Sequence, residues 1–98
     1  MAAVVIRHLT FDVPVEDLAD VVDEKFAPEF RKEPGFQRFY FVRTAEREAT
    51  MVIVWAGESE AAAGAGKIGG TVFNQYIKPH VVKDQDRRVG KVLAEASR

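Results

Sequence analysis

The period of the hydrophobic pattern changes several times along the chain, and each change marks a predicted element. Val4 to Phe11 is apolar and rich in β-branched residues, and it ends before Pro14, so it predicts a first strand. Phe36 to Arg43 and Thr50 to Ala56 are also rich in aromatic and β-branched residues. The polar segment between these two runs predicts a turn, and together they predict an antiparallel hairpin.

A four-residue period follows the first strand and predicts an amphipathic helix that begins near Val15 and ends before Pro34-Gly35. Its apolar stripe consists of Leu18, Val22, Phe26 and Phe30. Pro28 lies inside the stripe, where a proline removes one backbone hydrogen bond and clashes with the preceding turn. The pattern therefore predicts a kink or a break near Glu24 to Phe26.

Apolar residues occur on both faces of the hairpin strands. Regular alternation predicts two faces for the second strand, with Phe36, Arg38, Tyr40 and Val42 on one and Gln37, Phe39, Phe41 and Arg43 on the other. The third strand is apolar on both faces as well. Helices on one side of a sheet would leave the other side in water, so this pattern predicts a homodimer in which the second sheet face packs against a partner.

The second half of the chain predicts weaker elements. A helix is expected from about Ser59, with an interruption at Gly69-Gly70, and Thr71 is expected to cap a second helical piece. We expect a polar connection from Val81 to Arg88 and a last strand from Val89 to Ala96. The element order β-α-β-β-α-β indicates an α+β, ferredoxin-like split βαβ fold with an antiparallel sheet and helices on one face.

The composition changes this picture in three ways. The chain has 98 residues, of which 47% are hydrophobic and 30% charged, so it is long enough for one globular domain (residues 1–98) and too short for two. Fourteen basic and fifteen acidic residues give a net charge of -1, which argues against nucleic acid as a partner. The chain has no cysteine, which excludes disulfides and thiol nucleophiles and favours a cytoplasmic location.

Arg7 and His8 interrupt the first apolar run, so we expect neither a signal peptide nor contact with a membrane.

Three segments carry a resemblance to a known family. VVIRHLTFDVP, PGFQRFYFVR and MVIVWAGESEAA, in this order, resemble the dimeric α+β barrel superfamily and, within it, the antibiotic biosynthesis monooxygenase domain. The likeness covers roughly Val4 to His80. It implies a homodimer whose two sheets face each other, with a pocket between the sheet and the helices of each subunit. Catalytic members of this group oxidise fused-ring phenols with O₂ without metal or flavin, related members bind and degrade haem, and many others have no assigned activity.

The resemblance can be carried over to a few positions. Trp55 matches a pocket-lining tryptophan of the third strand. Met51 stands where the oxygenases of the family have an asparagine, and a thioether cannot polarise a phenolate as an amide does. The haem-degrading members have an asparagine on the first strand, where this chain has Arg7 and His8. They also have a histidine on the second helix, where this chain has none before His80.

Candidate residues follow from chemistry and resemblance together. His8 is a candidate catalytic acid or base because imidazole titrates near neutrality, and the alternative is a packed strand histidine. Trp55 is the second catalytic candidate. The candidate ligand-binding residues are Phe39, Tyr40, Phe41, Met51, Phe73, Asn74 and Tyr76, with the alternative that the aromatic ones fill the core and the dimer interface. Two histidines in separate elements form no metal motif, so we expect no metal and no cofactor.

Two classes of function stay open. The leading hypothesis is a homodimer that binds a small aromatic or apolar molecule between sheet and helices, and that in its enzymatic version is a cofactor-independent monooxygenase. The enzymatic version requires an enclosed cavity beside Trp55. The alternatives are a non-catalytic ligand-binding or stress-associated dimer and, third, a haem-binding protein. The non-catalytic version predicts that aromatic residues fill the helix–sheet space, namely Phe26, Phe30, Phe73 and Trp55.

Overall fold

A computed structural model describes residues 2–98, which form an antiparallel sheet with helices packed on one face. The strands are β1 (Ala3–Phe11), β2 (Phe36–Ala45), β3 (Glu48–Trp55), β4 (Val81–Asp84) and β5 (Arg88–Lys91). The helices are α1 (Glu16–Val21), α2 (Ala27–Arg31) and α3 (Glu58–Ile68), with π-helical segments at Val22–Phe26 and Gly69–Ile77 and a 3-10 turn at Lys78–His80. The predicted fold class is confirmed.

The sheet has the order β2-β3-β1, and β4 and β5 both pair with the far edge of β1. The register between β1 and β3 pairs Val5 with Ile53, so their side chains share one face. This inner face is buried under the helices. It is formed by Ala3, Val5, Leu9, Phe11, Ala49, Met51, Ile53 and Trp55. The alternate residues of the same strands form an open face that the helices do not cover.

The predicted kink in the first helix is confirmed as the π-helical segment Val22–Phe26. Pro28 is the second residue of α2, directly after this segment. In a regular α-helix, residues four apart drift by about 40° around the axis. A π-helical turn contains more residues than an α-helical turn, so it reduces that drift and keeps the stripe residues on one side of the helix. All four stripe residues, Leu18, Val22, Phe26 and Phe30, are buried.

The predicted faces of β2 are wrong at its beginning. The register of β2 against β3 shifts between Phe36 and Arg38, which is a β-bulge. The extra residue puts Phe36 on the inner face with Phe39 and Phe41, where its ring lies 5.6 Å from that of Phe30. The bulge therefore directs one more aromatic ring into the core than regular alternation predicts.

The edge of the sheet beside β1 is formed by two short strands, β4 and β5, and we call this edge, residues 81–91, the split edge. The expected polar connection from 81 to 88 is wrong, because its first half is β4, which pairs with the end of β1. The predicted last strand exists only as β5, and residues 92–98 are not in a strand. Between β4 and β5, Asp86 has φ of 55°, a left-handed conformation that breaks the strand. The broken edge brings charged side chains beside β1.

The interruption predicted at Gly69-Gly70 is a π-helical continuation of α3. Thr71 does not cap a new helix there, because its hydroxyl donates to the carbonyl oxygens of Lys67 and Ile68 in the preceding turn. The helix widens and continues to Ile77. Phe73 and Ile77 are buried against the sheet as a result.

An aromatic cluster forms the centre of the core between helices and sheet. The Phe26 ring lies 5.0 Å from Phe30, 5.5 Å from Phe39 and 6.1 Å from Phe73, measured between ring centroids. The first two contacts are edge-on and the third is tilted, and favourable aromatic pairs each add about 0.5–1.5 kcal/mol beyond the burial of apolar area. In the part of the chain from residue 2 to 98, no helix combines the length and apolar character needed to cross a membrane.

Candidate functional site

Trp55 lies in the sealed part of the core. Its side chain is 0% exposed, and the rings of Phe30 and Phe36 pack on it at 6.1 and 5.8 Å. A Cβ atom added to Gly64 of α3 would come within 2.1 Å of the Trp55 ring, so the helix backbone closes the remaining side. Trp55 lines none of the clefts described below, and its indole Nε1 has no partner within residues 2–98.

A cleft of about 600 Å³ opens at the other end of the inner face, between β1, the π-helical segment and the split edge. Its wall contains Arg7, Ala65, Gly66, Phe73, Asn74, Lys78, Val81, Asp84, Asp86 and Arg87. Helix α3 supplies only the small residues Ala65 and Gly66, which is why a cleft remains there. The split edge supplies most of the charge. The strand side of the cleft is therefore ionic, and its helix side combines Ala65, Gly66 and Phe73 with the polar Asn74 and Lys78.

A small apolar recess of about 30 Å³ lies behind this cleft, between helices and sheet. Its wall contains Val5, Arg7, Phe26, Phe30, Met51, Ile53, Ala65, Ile68, Phe73 and Arg87. Four residues line both spaces, namely Arg7, Ala65, Phe73 and Arg87. The recess therefore adjoins the cleft across these four residues. Its volume is enough for one or two atoms of a ligand edge and too small for a whole aromatic ring.

Arg7 lies at the junction of the cleft and the recess. It occupies an inner-face position of β1, between Val5 and Leu9, which are both 2% exposed. The Arg7 guanidinium lies 4.2 Å from the ring centroid of Phe73, a cation–π contact. Its Nε donates to Asp84 Oδ1 at 3.2 Å and its Nη2 donates to Asp84 Oδ2. This two-point pair fixes the orientation of the guanidinium plane.

The same pair sets the charge state of Asp84. The hydrogen bond from Arg7 is the main reason that the pKa of Asp84 lies below its usual value, and the backbone N–H of Asp86 adds to this. Partial burial opposes the shift. Asp84 is therefore ionised at neutral pH, and the cleft holds a preformed carboxylate site around Arg7.

The predicted ligand-binding residues divide among three places. Met51 and Phe73 line the recess, and Phe73 and Asn74 line the cleft. Phe39, Tyr40 and Phe41 instead line a separate groove of about 550 Å³ between β2 and the first helix. Tyr76 is half-buried against the core and lines none of these spaces. The structure thus brings together three of the seven predicted residues.

His8 and Trp55 lie on opposite faces of the sheet. His8 is on the open face, where its Nδ1 lies 2.7 Å from Thr50 Oγ1. The sheet separates it from the inner face, so the two residues predicted to be catalytic share no site within the subunit. His80 is the last residue of the 3-10 turn, and its Nδ1 is 3.2 Å from Asp12 Oδ1. Across residues 2–98, no three histidines or carboxylates lie close enough to hold a metal ion.

Sequence reasoning missed the ionic half of the cleft. Asp84 and Arg87 lie in the segment that was expected to be a connection, and their proximity to β1 depends on the split edge. One signal was present in the sequence. Arg7 lies two residues from both Val5 and Leu9, so it shares their face in a regular strand. A charged residue in an inward position is a marker of a polar site or an ion pair.

No protein-family model and no curated protein matches the sequence. Solved structures do match. SnoaB, a cofactor-independent oxygenase from Streptomyces nogalater, superposes with a TM-score of 0.79 at 12% identity over 96% of this chain and 95% of that chain. A putative antibiotic biosynthesis monooxygenase from Nitrosomonas europaea gives 0.74 at 16% identity, over 98% and 94%.

A putative antibiotic biosynthesis monooxygenase from Bacillus cereus gives a TM-score of 0.67 at 14% identity, over 100% of this chain and 97% of that chain. Sequence identities at this level establish a common fold only, so any activity has to be argued from the residues of the site. The chain therefore has the ferredoxin-like α+β fold of the antibiotic biosynthesis monooxygenase-like proteins, as the resemblance in its sequence predicted.

Proposed function

We propose that this protein binds a small aromatic or apolar molecule in the cleft beside Arg7 and Phe73, with one edge of the molecule in the apolar recess. The observation that carries the proposal is that the two spaces are adjacent. An open cleft of about 600 Å³ shares four wall residues with a recess lined by core residues such as Met51 and Ile53. Ligand sites commonly combine such an apolar floor with a few polar groups at the mouth.

The size of the hydrophobic gain limits what such a ligand can be. A bicyclic ring that buries about 150 Å² of apolar surface gains about 4 kcal/mol at roughly 25 cal/mol per Å². Immobilising a ligand costs at least about 4 kcal/mol, so apolar contact alone gives weak binding. A polar anchor at the mouth must supply most of the net affinity.

Leucine in place of Gly66 tests the site. A Cβ added at Gly66 meets no atom within 4 Å, and Gly66 lines the cleft, so a leucine there would take up cleft volume. Gly66→Leu should weaken binding of 2-naphthol, measured by its fluorescence, by about tenfold or more. Gly70→Leu is the matched control, since a Cβ at Gly70 also meets no atom within 4 Å and Gly70 does not line the cleft. Equal binding by both variants, or no binding by the unaltered protein, overturns the proposal.

We also propose that the functional unit is a homodimer formed through the open face of the sheet. This face carries three exposed apolar side chains, with Ile6 at 39%, Tyr40 at 46% and Val42 at 44% exposure. Val4, Val52 and Val54 extend the patch between them. A two-fold axis through the patch would bury the patch of one subunit against the same patch of the other, with residue i contacting j and j contacting i. A second copy is the occupant that matches such a surface.

The enzymatic version that required a cavity beside Trp55 fails, because that space is closed. A second candidate places cofactor-independent oxygenation in the cleft beside Arg7 instead, and the likeness in fold to SnoaB supports it. In this version Arg7 would stabilise the phenolate form of a bound fused-ring phenol by its charge. Trp55 would have no direct part, because it is sealed in the core. Oxygen uptake with an anthrone-like phenol, lost in Arg7→Gln, would support it. Binding of the phenol without oxygen uptake would exclude oxygenation and leave binding as the function.

A further inference from the structure

We propose that the ligand of the cleft is an aromatic carboxylic acid, and that its carboxylate binds Arg7 in the place that Asp84 occupies. The inference rests on the proposed function and specifies the chemical class of the ligand. It uses residues that the split edge of the sheet brings together, namely Arg7, Asp84 and Arg87.

The first step is the geometry of the Arg7–Asp84 pair. A guanidinium forms two parallel hydrogen bonds with a carboxylate, and Nε and Nη2 of Arg7 make this contact with Asp84. A ligand carboxylate would reproduce the same two bonds. Asp84 competes with such a ligand, because its own carboxylate already makes these two bonds to Arg7. It belongs to a short edge strand, and its side chain is 28% exposed. Rotation of the Asp84 side chain into water would release Arg7, and it would also break the hydrogen bond that the backbone N–H of Asp86 donates to Asp84 Oδ1.

The second step is the position of the charge relative to the apolar floor. Arg7 and Arg87 both line the recess as well as the cleft. An anionic group held between them leaves the attached ring in contact with Phe73 and Ala65. The ring edge then points toward Met51 in the recess. A flat acid with its charge at one end fits this arrangement.

The third step is the local balance of charge. The cleft is lined by three cations, Arg7, Lys78 and Arg87, against two carboxylates, Asp84 and Asp86. Displacement of Asp84 from Arg7 would leave the guanidinium without an anionic partner beside the ring of Phe73. A bound carboxylate restores that partner. A neutral molecule of the same shape does not.

The test compares an acid with its neutral counterpart. Binding of 2-naphthoic acid and of 2-naphthamide is measured by isothermal titration calorimetry on the full chain. The acid should bind about tenfold or more tightly than the amide. Arg7→Gln should remove that preference by weakening only the acid, and Asp84→Asn should strengthen the acid by removing its competitor. Arg43→Gln is the matched control, because Arg43 pairs with Glu16 outside the cleft.

The outcomes separate this inference from the proposed function. Equal binding of acid and amide, unchanged in Arg7→Gln, overturns the carboxylate preference and leaves the proposed function standing. Binding of neither molecule overturns both. If Arg7→Gln does not fold by circular dichroism, Arg87→Gln takes its place, since Arg87 is on an exposed loop and lines the same junction. Loss of the preference in Arg87→Gln supports the inference, and an unchanged preference there contradicts it.

Discussion

Gly64 and Gly66 lie two residues apart in α3, but their backbones meet different surroundings. Gly64 is buried against the ring of Trp55, and Gly66 faces the cleft. At Gly64 the absence of a side chain is what permits contact between helix and sheet. At Gly66 the absence of a side chain only leaves space.

Alanine at these two positions should therefore have opposite effects. Gly64→Ala places a Cβ 2.1 Å from the Trp55 ring, and the resulting overpacking should cost about 1–3 kcal/mol of unfolding free energy. Gly66→Ala meets no atom within 4 Å and should stabilise the helix by up to about 1 kcal/mol. Urea denaturation measures both. Destabilisation of similar size in both variants would show that Gly64 has no special packing role.

The Arg7–Asp84 pair predicts a pH dependence at the residue scale. Asp84 has its pKa lowered from 3.8 by the Arg7 hydrogen bond, so the folded protein holds the carboxylate more strongly than the unfolded chain does. This contribution to stability is present above 3.8 and is lost as the pH falls through the lower, folded pKa.

Asp84→Asn should consequently reduce the urea midpoint at about pH 6 and reduce it much less at about pH 2.5. The difference between the two proteins, and not the absolute midpoint, is the quantity to follow, since other carboxylates titrate in the same range. A difference that does not change with pH would contradict an ionic contribution from this pair.

At the element scale, the first helix accommodates its proline through a change of helix type. Pro28 is the second residue of α2, directly after a π-helical segment, and the widened turn accommodates a residue that has no backbone N–H to donate. The proline therefore lies at a tolerated position, although the sequence pattern placed it in the interior of one long helix.

Pro28→Ala should change the free energy of unfolding by less than about 1 kcal/mol. Asp20→Pro, at an exposed position in α1, is the matched control and should cost about 3 kcal/mol. Both are measured by urea denaturation. A gain of about 3 kcal/mol in Pro28→Ala would show instead that the proline strains the helix.

At the scale of the whole molecule, the sheet has one face under helices and one open apolar face. Lysine in place of Val42 would put a charge within the proposed dimer interface, where it would be costly to bury without a partner. Light scattering after size exclusion should give twice the chain mass for the unaltered protein and the monomer mass for Val42→Lys. Ala63→Lys adds the same charge on the exposed side of α3 and should remain dimeric. A monomeric unaltered protein would exclude the proposed dimer.

The sequence by itself determined the order and type of the elements through β3 and α3. Period-two and period-four patterns are local properties of strands and helices, so they can be read without knowing what packs against them. For the same reason the kink before Pro28 was predictable. The sequence pattern also predicted an open apolar sheet face, and the exposed side chains of Ile6, Tyr40 and Val42 agree with that pattern.

The tertiary structure alone decided which predicted site residues share a site. A single bulge moved Phe36 to the inner face, and the contact between Gly64 and Trp55 closed the space where a pocket was expected. Arg7 and Asp84 are 77 positions apart, and only the split edge brings them together. A cleft is the space left after distant segments pack, so its position depends on shapes that no local period encodes.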